Sequence, residues 1–475
     1  SPWPTAVPWP NPTLTVTTVL APTSTPAPAL PPSLTATPTV LSLAEHDRPR
    51  YTLRFWLDPA RQILTGTVSI DLINHTESTL PDIALRLYPN IPDEPGAPAN
   101  PRMVVTRATV NDLPVTPVDA AQGSAILLPL AALWQPDEPL QLELAFEATV
   151  TPWSDGSWPL VSYYPLLAVY QDGDWRLDVT TFPDRVFSES AFYDVAMTLP
   201  DGLDLISSGR IQSTLVNGDG TTTYTMVAGP VRQFALVTGQ LACTETTVGA
   251  IQVRACQATQ NGLDIALVVQ IAADALTVFE QRFGPYPYDE LDLQLLPYIF
   301  DGGDEFPGLI LVYTDDLVDM GTRSAIAHEV AHQWWFAVVG NDIIREAWLD
   351  ESLAQYSAII YAEDVLGPEI AWADWQREVL SRYNGALADG DLPIGLPIDA
   401  YPNFSVYYRT VYGKGAVFLQ TLRQQLGDAA FFQGLQTYYQ QRQHAVATGA
   451  DLQQAWETAS GQDLDSLFAT WVTSE

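Results

Sequence analysis

The spacing at which apolar residues recur changes once along this chain, and that change fixes the fold class. From about residue 51 to 241 the period is two. Tyr51-Thr-Leu-Arg-Phe-Trp-Leu-Asp58 alternates, a turn follows at 58–61, and 65–72 alternates again. Short Val, Ile, Leu and Phe runs such as 142–150 and 193–199 then recur between Pro, Gly and Asp breaks. This pattern predicts an all-β unit of mostly antiparallel strands. From about Asp264 the spacing turns helical. Helices are expected over 264–283, 323–339, 346–365, 369–382, 415–425, 429–442 and 450–459, with a strand at 291–296. The chain therefore reads as a multidomain α+β protein, β over 45–257 and mixed α/β continuing into helices over 258–475.

Composition adds a third segment. Residues 1–44 lack Asp, Glu, Lys and Arg, and the first 40 hold eleven Pro and ten Thr. Proline resists both helix and ladder, so a polyproline-like linker or stalk is expected, with threonines open to O-glycosylation. Such a stalk suits an extracellular or cell-surface protein, tethered by a signal or lipid-anchoring segment upstream of Ser1. The 475 residues carry 56 acidic and 21 basic side chains, a net charge of −35. That excludes a nucleic-acid backbone or an anionic membrane as partner and favours cationic ligands. No apolar run reaches the length of a membrane-spanning helix. Cys243 and Cys256 are the two cysteines; a hairpin disulfide suits an oxidising compartment, and two buried thiols are the other reading. Asn74-His75-Thr76 and Asn403-Phe404-Ser405 fit the N-glycosylation pattern.

The chemistry is carried by His328-Glu329-Val330-Ala331-His332. On a helix, residues i and i+4 share a face, so both imidazoles can meet one divalent ion at about 2.0–2.1 Å. Glu329 sits beside the first ligand, close enough to take a proton from a metal-activated water. Eighteen residues separate His332 from Glu351, which lies in Trp348-Leu-Asp-Glu-Ser352 near the start of a second helix. Two His and one Glu leave a fourth position open, as a hydrolytic zinc site requires.

Several segments together resemble the gluzincin zinc aminopeptidases, the family of membrane alanyl aminopeptidase and leukotriene hydrolase. They are Phe283-Gly-Pro-Tyr-Pro-Tyr288, Gly302-Gly303-Asp304-Glu305-Phe306-Pro307-Gly308, the His328–Trp335 and Trp348–Glu351 metal segments, and Val411-Tyr412-Gly413-Lys414-Gly415. The resemblance implies a β saddle domain followed by a thermolysin-like catalytic domain, in a short form ending before the family's large C-terminal helical domain, with a more open cleft. It implies one Zn2+ per chain on His328, His332 and Glu351, with Glu329 as general base and then proton donor. Tyr412 would donate to the tetrahedral oxyanion. Glu305 would pair with the substrate's free α-ammonium. Gly302 and Gly303 would let backbone approach the substrate, and Tyr407 would line the same pocket or pack in the core. The expected function is hydrolysis of the N-terminal peptide bond of peptides with a free N-terminus. A zinc endopeptidase of the same fold and a catalytically silent peptide-binding relative are the alternatives.

One departure matters. Asp304 stands where the family has Met. Facing the cleft, it would favour cationic N-terminal residues or raise the Glu305 pKa by like-charge repulsion; facing away, it is a turn residue. Lys414, the one lysine, is expected in a local ion pair. Trp334-Trp335 are expected in the core.

Overall fold

The computed structural model describes residues 48–92, 102–180, 182, 185–262, 264–298, 302–314 and 320–473. The proposed stalk, 1–44, lies outside them.

The N-terminal half is β. Its eight-stranded sheet runs in the order Arg210–Val216, Thr221–Val231, Ala191–Pro200, Arg50–Asp58, Ile63–Ile73, Pro139–Thr149, Met103–Val110, Leu113–Pro114. Buried and open residues alternate along Arg50–Asp58 as the period of two demands, with Leu53 opposite Val68 on one neighbour and Val195 on the other. The second of those pairings is parallel. A second sheet contains Leu80–Arg86 and Ala125–Trp134. Leu53, Phe55, Ile70 and Leu142 from the first sheet share one core with Ile83, Leu85 and Leu128 from the second. Asn74 sits inside this half. It is fully buried, and its Nδ2 donates to Ser78 O at 2.9 Å and Trp134 O at 3.1 Å. The first glycosylation match is therefore a structural loop amide, whereas Asn403 is exposed and caps a helix by accepting from Val406 N.

The second half opens with a five-stranded sheet ordered Leu241–Val248, Ile251–Ala258, Glu290–Leu296, Leu309–Tyr313, Gly302–Phe306. Its first two strands form a hairpin in which Cys243 and Cys256 are paired partners joined by a disulfide. Sheet membership thus changes between Gly239 and Leu241, before the boundary at 257 that the period change suggested. The local pattern of the hairpin is β in either unit, and only its parallel partner Glu290–Leu296 assigns it. Helix α1 (Ala266–Arg282) supplies the crossover that this parallel pairing requires. Strand Gly302–Phe306 is the sheet's edge, antiparallel to Leu309–Tyr313.

Helix α2 (Met320–Ala331) packs against that edge, and α3 (Trp348–Tyr361) packs on α2. The expected helix over 323–339 stops early. The chain turns after His332, and Phe336 takes φ 139°. Beyond that turn, Arg232 of the β half donates to the carbonyls of Phe336 and Val338 and ties the segment down. Trp334 and Trp335 are core residues, both essentially buried, each worth about 1.5–3 kcal/mol or more of apolar burial. Beyond α3 the helices continue to Thr473, interrupted by π-helical turns at Ala362–Leu366, Trp375–Leu380 and Arg409–Lys414. Lys414 is buried and meets Asp391 Oδ1 at 2.7 Å, Leu392 O at 2.8 Å and the Trp471 ring. Among the described residues no helix is long and apolar enough to cross a membrane.

Candidate metal centre

Helical spacing puts His328 and His332 on one face of α2, and His332 N still bonds His328 O at 3.3 Å, so the register survives to the helix end. α3 crosses α2 and brings Glu351 from its first turn. The three ligand atoms converge: His328 Nε2 to His332 Nε2 is 3.1 Å, His328 Nε2 to Glu351 Oε2 is 3.2 Å, and His332 Nε2 to Glu351 Oε2 is 3.4 Å. A tetrahedral zinc with bonds near 2.05 Å needs ligand atoms about 3.3 Å apart, so the residues fit the ion. The tautomer fits as well. Trp335 O lies 3.0 Å from His332 Nδ1 and accepts its proton, which turns the Nε2 lone pair inward. All three side chains are buried.

The electrostatics ask for a cation. Burial pushes the His332 imidazolium down, but Glu305 and Glu351 outweigh it and carry the ring up to about 10. Burial pushes the Glu351 carboxyl up, and hydrogen bonds from both histidines more than reverse it. Asp350, buried beside Glu351, is pushed up to about 8 by burial and by that neighbour's charge. His328 is lowered, first by burial. Carboxylates crowd around two imidazoles, and a divalent ion resolves that crowding.

The remaining predicted residues surround the same cavity of about 720 Å³. Gly302, Gly303, Glu305, Glu329 and Tyr412 all line it with the metal triad. Carboxylate oxygens of Glu305 and Glu329 and a ring nitrogen of His332 lie within 4.8 Å of one another. The Tyr412 ring stacks parallel to His328, centroids 5.6 Å apart. Gly303 has a more specific role than backbone approach to substrate. A Cβ there would stand 2.5 Å from Glu329 Cγ, so the missing side chain makes room for the Glu329 carboxylate arm. Gly415 does the same for Ser352, whose Oγ ties α3 to the Tyr412 segment through Val411 O at 2.7 Å.

Tyr407 is a correction. It is fully buried, packed edge-on against Phe182, Tyr401 and Tyr412, and does not line the cavity. Tyr408 lines it instead. Residues four apart share a helix face, so spacing from Tyr412 points to Tyr408, whose ring lies 4.6 Å from that of Tyr412. The same rule finds Gln355, one turn beyond Glu351. Trp153, Tyr298, Tyr313 and Arg382 also line the cavity and carry no local signal. Gln333 ties the two walls, accepting from Gly308 N at 2.8 Å and donating to Phe306 O at 3.1 Å.

Residues 268–471 match the Peptidase family M1 domain. Aminopeptidase 2 of Candida albicans is 30% identical over 218 residues, 42% of this chain and 23% of that protein. Aminopeptidase M1 of Arabidopsis thaliana is 25% identical over 469 residues, 89% of this chain and 50% of that one. Residues 268–471 of the chain thus resemble an M1 peptidase domain. The chain spans half or less of the length of those two curated M1 relatives. The fold of an M1 zinc metallopeptidase from Deinococcus radiodurans superposes with a TM-score of 0.65 at 21% identity, covering 90% of this chain and 93% of that one. That M1 fold is the β domain followed by a catalytic domain with helices described above.

Proposed function

We propose that this chain is a zinc-dependent aminopeptidase that removes the first residue of peptides with a free N-terminus. The observation that carries the reading is the convergence of His328, His332 and Glu351 with a further carboxylate, Glu305, within 4.8 Å of His332 and Glu329. The triad would hold one zinc per chain. Zinc, when bound, supplies Lewis acidity toward water and toward a carbonyl oxygen. Glu305 pairs with the α-ammonium and sets the distance to the first peptide bond. Glu329 takes the proton of the attacking water and returns it to the leaving amine. The Tyr412 hydroxyl donates to the oxygen on which charge develops. Buried in a cleft of low dielectric, these groups act at greater strength than in water.

An extracellular or cell-surface location, through the stalk and an upstream anchor, is part of this proposal. The Cys243–Cys256 pairing supports it, since disulfides persist in oxidising compartments.

The test is hydrolysis of amino-acyl anilides and short peptides by zinc-replete protein. Chelation is expected to abolish release of amino acids. Glu329→Gln is expected to lower kcat by about 10²–10⁴-fold with zinc content unchanged. Zinc-replete protein that leaves every free N-terminus intact overturns the reading. Equal cleavage of N-acetylated peptides removes the amine-anchoring role of Glu305 and leaves a zinc endopeptidase.

A further inference from the structure

Past Glu305 the cleft continues into a compartment with aromatic walls. Successive side chains of an edge strand point to opposite faces, so Glu305 and Asp304 diverge. Gly303 and Glu305 face α2. Asp304 shares the other face with Leu311 and, through the pair Gly302 and Tyr313, with the Tyr313 ring. That ring stacks on Trp153, centroids 5.5 Å apart and planes 19° from parallel. Tyr298 closes on both, at 6.0 Å from Trp153 and 5.8 Å from Tyr313. Trp153 Nε1 donates to Pro297 O at 3.1 Å, which fixes the indole. The three rings and Asp304 line the same cavity as the metal triad.

The Tyr313 hydroxyl donates to Asp304 Oδ2 at 2.6 Å. A phenol orients a carboxylate and leaves its negative charge in place. Burial holds the Asp304 carboxyl above its usual range, and the Tyr313 hydrogen bond and the charge of Arg185 offset part of that rise.

We propose that this compartment receives the side chain of the substrate's first residue and that Asp304 selects a cationic one, Arg or Lys. An α-ammonium held at Glu305 puts the first side chain beside the next strand position. The alkyl stem of Arg or Lys then lies along aromatic faces, which also attract the cation. Its head meets a pre-oriented carboxylate in a charge-assisted contact. The wider field agrees. Glu305, Glu329, Glu351 and Glu378 share the cavity wall with one arginine, Arg382, and the chain's net charge is −35. This assignment deepens the aminopeptidase reading and rests on it.

The test compares arginyl, lysyl, citrullyl and leucyl aminomethylcoumarin substrates on the full zinc-loaded chain. Citrulline is the neutral isostere of arginine. Wild type is expected to favour arginyl over citrullyl by about tenfold or more in kcat/KM. Asp304→Asn is expected to bring the two level, with the loss on arginyl and lysyl substrates exceeding any loss on leucyl. An unchanged ratio, or an equal loss on all four substrates, overturns the assignment.

Calorimetric binding of free L-arginine against L-citrulline to wild type gives a readout independent of turnover and of the variant's folding. About tenfold tighter arginine binding supports the subsite, and equal binding overturns it. If no substrate turns over while the binding difference persists, the aminopeptidase reading fails and the subsite stands. Turnover without discrimination does the reverse.

Discussion

The two halves of the molecule bury charge in opposite ways. In the β half the two most deeply buried charges are cations, Arg86 and Arg232, and the Arg232 guanidinium is surrounded by backbone oxygens of Ser188, Phe336, Val338 and Ala445. In the catalytic half the buried charges around the cleft are anions, Glu329, Asp350 and Glu351. Elsewhere in that half such anions have arginine partners: Asp292 is gripped by Arg254 at 2.8 Å, and Asp342 by Arg176 at 2.7 Å. At the cleft, Glu351 is faced by imidazoles instead. A buried cation can be satisfied by carbonyls, which every peptide supplies. A buried carboxylate needs donors or a positive charge. The half that leaves its anions beside imidazoles is the half built to take a metal.

The largest expected effect attacks the point where the edge strand meets a cleft anion. Gly303→Ala places a methyl 2.5 Å from Glu329 Cγ and 2.6 Å from Leu311 O. The carboxylate can swing aside, and the Leu311 backbone has to shift as well. Displacing a proton-transfer group by about an ångström costs roughly 10²-fold in rate. The expected result is at least that loss in kcat, with zinc content unchanged. A variant of near wild-type kcat would mean that the cleft anion is not held in place by its surroundings.

Arg232→Met tests the other half of the contrast. It leaves carbonyls of both halves without their buried donor, for an expected loss of roughly 3 kcal/mol, read as a lower urea midpoint. Met fills most of the volume, so the loss reports the hydrogen bonds. The residue lies outside the cleft lining, so kcat/KM of the folded fraction is expected to stay within about twofold. A variant as stable as wild type would show the buried cation to be dispensable.

The same contrast explains what could be read from the sequence. The period of two in Arg50–Asp58 and the i, i+4 histidines of α2 are properties of a few consecutive residues, and both appear where the sequence places them. Glu351 was legible because its segment starts a helix that crosses α2. What escaped depends on distant partners. The parallel pairing of Arg50–Asp58 with Ala191–Pro200 joins strands more than a hundred residues apart. The hairpin Leu241–Ala258 is assigned by Glu290–Leu296. The segment that follows α2 is tied to the β half through Arg232. Tyr407 was open to either reading, since an aromatic five residues from Tyr412 shows its burial only once Phe182 and Tyr401 pack against it.

Two histidines carry the contrast into pH. His332, among carboxylates, is driven up to about 10. His444 lies on the seam between the halves, where its carbonyl accepts from Arg48 at 2.8 Å. Burial first, and then Arg48 and Arg232, bring its ring down from 6.5 to about 4. The sign follows from linkage: between those values the unfolded chain binds a proton that the folded chain refuses. This contribution to stability is complete above pH 6.5 and falls away as pH drops toward 4. His444→Gln removes it. The thermal midpoint of wild type minus that of the variant is expected to decline across that interval and to be flat above it. A flat difference throughout would mean that neither burial nor the cations at the seam lower the ring's pKa.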